Sequence, residues 1–174
     1  MKVIVVYDSM YGNTRKIAES ISSAFDGTEC IKTLHVEKAT PEDLKGFSLI
    51  IIGSPTHGGR PTPAVHKFMD NLPGAVKNDV HFASFDTRFS VKEQGAGLRF
   101  LMRLIGYAAE KIDRKMSEKG YKPVVKPEAF IVVDKEGPLR EGEEERARNW
   151  GKIIEGKIAL HKGENVTEQT PLHG

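Results

Sequence analysis

Four short, nearly continuous apolar runs constrain this chain more than any other feature: KVIVVY at Lys2–Tyr7, FSLIIIG at Phe47–Gly53, VHFASF at Val80–Phe85 and AFIVV at Ala129–Val133. Runs this brief, rich in Val, Ile and Phe, read as strands buried on both faces, as in a parallel sheet. A weaker fifth run, CIKTLHV at Cys30–Val36, alternates like an edge strand. Helical patterns fill the gaps. Thr14–Phe25 spaces Ile17, Ala18, Ile21 and Ala24 on one face, with Asn13 as the expected N-cap. Pro63–Leu72, Gly106–Gly120 and Glu141–Leu160 carry similar stripes, and the last begins with acids that suit a helix start. Strand and helix in alternation predict an α/β domain with a five-stranded, mostly parallel sheet and helices on both faces.

The bulk properties remove several classes of function. At 174 residues and 39% apolar content, the chain suits one domain, expected over residues 1–162 and followed by a polar, flexible tail at 163–174. No apolar run approaches the ~20 residues a membrane-crossing helix needs, so no membrane span is expected. The N-terminal run is too short for a secretory signal and reads as a strand. A single cysteine, Cys30, offers neither an internal disulfide nor a zinc cluster, which points to a reducing cytoplasm. A net charge of +2 is too mild for a nucleic-acid footprint. The six histidines show no metal-ligating spacing, so no metal site is expected.

In an open α/β sheet, ligands sit in the crevice at the carboxyl ends of the strands. Three loops there carry chemistry. The first is Asp8-Ser9-Met10-Tyr11-Gly12-Asn13-Thr14, between a strand and a helix start. Its hydroxyls, amide and backbone N–H groups could converge on one anion, although the same residues would also serve an ordinary capped helix. It lacks the GxxxxGK[ST] pattern of a triphosphate loop and the GxGxxG of a dinucleotide fold. The second, Gly53-Ser54-Pro55-Thr56-His57-Gly58-Gly59-Arg60-Pro61, is punctuated densely enough to demand a shaped turn. The third, Phe85-Asp86-Thr87-Arg88-Phe89, offers an aromatic face and a polar edge; Asp86 and Arg88 would otherwise read as a surface pair.

These segments resemble those of the flavodoxin-like family. SMYGNT at Ser9–Thr14 resembles its phosphate loop, with Tyr11 where a small hydroxyl residue is usual. GSPTHGG at Gly53–Gly59 and FDTRF at Phe85–Phe89 resemble its second and third flavin loops, and the likeness spans roughly residues 1–160. The resemblance implies a three-layer, doubly wound sheet of order 2-1-3-4-5 that binds flavin mononucleotide (FMN). It implies that Ser9, Met10, Tyr11, Gly12, Asn13 and Thr14 hold the phosphate. Pro55, Thr56, His57, Gly58 and Gly59 would lie along the ring, and Asp86, Thr87, Arg88 and Phe89 would close its other side. The implied activity is electron transfer through the flavin, which carries the chemistry itself. An FMN-dependent NAD(P)H or quinone reductase, and a flavodoxin-fold binding module without redox activity, are the alternatives. A receiver domain shares the strand order, but the chain has Ser54 rather than an acid after the third strand. Two features depart from the family pattern: His57 stands where an aromatic ring would stack, and the chain is slightly basic.

The partners implied are a redox protein or a small quinone or nicotinamide donor. Leu98, Phe100, Leu101, Met102, Leu104 and Ile105 are too many apolar residues for one face of a short helix. They either extend the following helix into the core or form an apolar lip for a quinone or for a homodimer through 98–105.

Overall fold

Apolar β1 (Lys2–Tyr7) runs between β2 (Cys30–His35) and β3 (Leu49–Pro55), and pairs with both in parallel. The structure, a computed structural model, describes residues 1–75, 80–89 and 106–167. Beyond β3 come β4 (His81–Phe89) and then an edge in two pieces, β5 (Lys122–Pro123) and β6 (Glu128–Val132), both pairing with β4 in parallel. The sheet order is therefore 2-1-3-4-5, with β6 completing the fifth position, in agreement with the expected doubly wound order.

The split has a chemical reason. Val124 still donates to the Phe82 carbonyl at 2.9 Å, but Pro127 has no N–H, so the ladder lapses before resuming at Glu128. The apolar run AFIVV marks only the second piece.

Side-chain alternation along the strands divides the core into two layers. Val3, Val5, Ile51, Ala83 and Phe85 face α1 (Asn13–Ser22) and α4 (Glu143–Thr167). Ile4, Val6, Ile50, Ile52 and Phe82 face α2 (Pro63–Asn71) and α3 (Ala108–Glu118). On the first face Phe85, Phe130 and Trp150 meet edge to face, with ring centroids 6.0–6.3 Å apart. Gly53 makes that possible, because a Cβ there would lie 2.0 Å from the tip of the Phe85 ring.

Several expectations are corrected. Asn13 is not the N-cap of α1: Gly12 is, at φ 84°, and Asn13 is the first helical residue. The segment Phe85–Phe89 is not a loop but the end of β4, so the Phe85 ring is core. Helix α4 continues past Lys162 to Thr167. The homodimer expected through 98–105 is also withdrawn. That segment lies outside the described residues; α3 begins at Ala108, after Gly106 at φ 76°. Among the described residues, the exposed large apolar side chains lie at Met10, Tyr11, Phe89 and Val133 or are isolated at Ile153 and Leu160. They form no apolar dimerisation segment. No described helix is long and apolar enough to cross a membrane.

Candidate functional site

The carboxyl ends of β1, β3, β4 and β6 share one cleft, lined by Met10, Tyr11, Asn13, Thr14, Pro55, Thr56, His57, Thr87, Arg88, Phe89, Val132 and Lys135. Segments far apart in sequence meet here because the parallel sheet brings every strand out at the same edge.

The first wall is the turn between β1 and α1. The Asp8 carboxylate shapes it by accepting from the Ser9 amide at 2.7 Å and from the Thr62 hydroxyl at 2.5 Å. The Ser9 hydroxyl accepts from the Arg15 amide at 3.3 Å and so satisfies one donor of the helix start. The amides of Met10, Tyr11, Gly12, Asn13 and Thr14 have no acceptor among the described residues. A run of unclaimed N–H groups at the head of a helix is the donor set a phosphate monoester needs.

The side chains of that turn are more committed than the sequence suggests. Asn13 is buried, and its Nδ2 donates to the Glu136 carbonyl at 2.9 Å. The Thr14 hydroxyl, also buried, lies 2.8 Å from the Thr87 hydroxyl. That pair joins the head of α1 to the end of β4.

The second wall is a tight turn. His57 and Arg60 exchange backbone hydrogen bonds of 2.9 and 3.1 Å around Gly58 and Gly59, at φ 54° and 74°. Two successive positive φ values define a type I′ turn, which is why glycines occupy both central positions. Thr56 anchors the turn to β4 through a 2.9 Å bond from its amide to the Thr87 carbonyl.

At the end of β4, alternation sorts the residues. Thr87 turns towards α1, while Asp86 and Arg88 turn towards the head of α3. Asp86 is 0% exposed and does not line the cleft. Its carboxylate accepts from Arg88 Nε and Nη2 at 2.6 and 2.8 Å, from the Thr56 hydroxyl at 2.8 Å and from the Ala109 amide at 3.0 Å. The Thr56 hydroxyl in turn accepts from the Ala108 amide at 3.0 Å. The Arg88 guanidinium lies 3.7 Å over the Tyr107 ring and reaches Glu110 at 3.2 Å. Burial, the strongest influence, pushes the Asp86 carboxyl upward, and Arg88, the amide and the hydroxyl pull it back. Burial likewise works against the Arg88 charge, but Asp86 and Glu110 outweigh it and raise its pKa. With every donor aimed at the two oxygens, the pair is ionic. Far from a surface pair, it is the buried joint that sets α3 against the sheet.

Ser9, Gly12, Gly58, Gly59 and Asp86 are thus near the cleft without lining it, and the other ten candidates line it. Val132 and Lys135 were not among the candidates. The rule that ligands gather at carboxyl strand ends would have found them, had it been applied to the strand Ala129–Val133 as well.

A family model described as flavodoxin domain matches residues 4–120, and the chain belongs to that family. A flavodoxin from Aquifex aeolicus (strain VF5) is 34% identical over 82 residues, a match covering 45% of this chain and 44% of that protein. The match therefore spans less than half of either chain. Among solved structures, oxidised flavodoxin 1 from Bacillus cereus superposes with a TM-score of 0.69 at 18% identity, covering 90% of this chain and 98% of that one. A flavodoxin from the domain Archaea gives 0.69 at 22% identity, over 91% and 99%. These likenesses concern the fold.

Proposed function

We propose that the chain binds FMN in this cleft and transfers electrons through it. One observation carries the reading: the unclaimed amides of Met10–Thr14 open onto the same cleft whose rim holds Met10, Tyr11 and Phe89, half of the exposed large apolar side chains among the described residues. An anion-binding turn beside an apolar rim suits a ligand with a phosphate at one end and a flat ring at the other. The names of the related flavodoxins agree with this reading.

In it, the turn amides hold the phosphate. Met10, Tyr11, Pro55 and Phe89 shield the ring, and the amides of Gly58 and Gly59, without an acceptor among the described residues, offer donors to its polar edge. Bound FMN supplies the reversible acceptance of electrons. Preorganised donors favour whichever state of the ring carries more negative charge at their position.

The test is a visible absorption spectrum of the purified protein, followed by FMN titration of the flavin-free form. Bound-flavin bands and saturable uptake, weakened at least tenfold by replacing Gly12 with Val, are expected. A colourless protein with no saturable uptake refutes the proposal.

A further inference from the structure

We infer that Lys135 is the charge partner of the phosphate and makes this cleft prefer a phosphorylated flavin over its uncharged parent; this deepens the FMN reading and rests on it. The turn Ser9–Thr14 contains no lysine or arginine, so any cation must come from elsewhere in the cleft. Among the described residues, two cationic side chains line it, Arg88 and Lys135. Arg88 is committed to Asp86 and Glu110. Lys135 is exposed, and its ammonium has no ion-pair partner among the described residues.

The turn that carries Lys135 is fixed in place. Val133 donates to the Pro138 carbonyl at 2.9 Å, Gly137 to the Asp134 carbonyl at 3.0 Å, and the Lys135 amide to Asp134 Oδ1 at 2.7 Å. The buried Asn13 ties it to the head of α1 through Glu136. The contact is close: a Cβ on Gly137, which stands at φ 108°, would lie 2.5 Å from Asn13 Nδ2. Lys135 is therefore held beside the residues whose amides are unclaimed, although 121 positions separate it from Thr14 in the sequence.

Charge gives the residue its selectivity. Asp134 and Glu136 flank Lys135, so this turn carries a net charge of −1 with the lysine and −2 without it. A phosphate monoester is close to a dianion at neutral pH. Removing Lys135 both deletes an attraction and unmasks a repulsion, and neither acts on an uncharged ligand.

The experiment compares FMN with riboflavin by quenching of flavin fluorescence in wild type, Lys135→Gln and a control, Lys152→Gln, on the exposed side of α4. Lys135→Gln is expected to weaken FMN about tenfold, the scale of a charge-assisted contact at a partly exposed site, while leaving riboflavin unchanged. Added salt should weaken FMN binding to wild type and to Lys152→Gln more steeply than to Lys135→Gln. If Lys135→Gln weakens both flavins equally, or neither, the inference is overturned while the FMN reading stands. If wild type takes up no flavin at all, both fall together.

Discussion

Asp86 provides the most direct test of how this edge of the sheet is held. Replacing it with asparagine preserves its shape, so no cavity forms and the cost is electrostatic. Three donors converge on Oδ2 (Arg88 Nη2, the Thr56 hydroxyl and the Ala109 amide), and Arg88 Nε meets Oδ1. An amide nitrogen in either oxygen's place faces donors with another donor. The buried Arg88, 11% exposed on its side chain, then keeps its charge with only the half-exposed Glu110 carboxylate, 3.2 Å away, to balance it, because a guanidinium does not deprotonate. Breaking one partner of such a pair costs about 3–5 kcal/mol. That is a large share of a net stability of about 5–15 kcal/mol. With a urea slope of about 2 kcal/mol per molar, the denaturation midpoint should fall by roughly 2 M. The double variant, Asp86→Asn with Arg88→Met, removes the buried charge that has lost its main partner and should be less destabilised than the sum of the two single changes by about 1–3 kcal/mol. A midpoint shift below about 0.5 M for Asp86→Asn, or strict additivity in the cycle, would refute the buried-joint reasoning.

Two further changes probe packing and charge. Gly53→Ala places a Cβ 2.0 Å from a Phe85 ring already wedged against Phe130 and Trp150, and should cost at least about 1–3 kcal/mol; an unchanged thermal midpoint would show that the ring can move aside. Glu143, at the head of α4, accepts from the Ile131 amide at 2.9 Å and from Arg140 and Arg146 at 2.8 and 2.6 Å. Burial pushes its carboxyl up, but those donors pull harder and leave it below its ordinary 4.5. A depressed acid contributes stability above its unfolded value and loses it as pH falls through the folded one. The denaturation midpoint should therefore drop on acidification from pH 4.5 downward, and Glu143→Gln should flatten that slope; an equally steep slope in the variant would assign the acid limb to other groups.

Most of the framework was legible because burial on both faces leaves a plain signature. KVIVVY coincides with β1, and the stripe predicted within Gly106–Gly120 falls on Ala108, Ala109, Ile112 and Met116, all buried by α3. Helix α1 buries Ile17, Ala18 and Ile21 but not Ala24; α2 buries Val65 and Phe68 as expected, and Met69 in addition. The edge was harder to read. Lys122–Pro123 pairs with β4 through only two residues, too few for any period to emerge. The end of β4 was misread for the opposite reason. Asp, Thr and Arg in succession look like a loop, yet all three continue the ladder, with Asp86, Thr87 and Arg88 opposite Ala129, Phe130 and Ile131. Polar residues can occupy a buried strand end when each finds a partner across the layer, and those partners, Thr14, Thr56 and Ala109, lie far away in the sequence.

That same strand end explains why the candidate site could be named in outline but not in roles. Period-two alternation sends Thr87 to the Thr14 hydroxyl and Asp86 to the Ala109 amide of α3, so neighbouring residues serve different ends. Asp86 fixes where β4, Thr56 and α3 stand relative to one another; Thr87 meets the turn whose amides are unclaimed. A sequence motif groups the two because they are adjacent, while the pleat of the strand separates them. Variants at Asp86 should therefore act first on stability and at Lys135 on ligand preference. The dividing line follows the face of the sheet each residue occupies or the loop it stands on, not its distance along the chain.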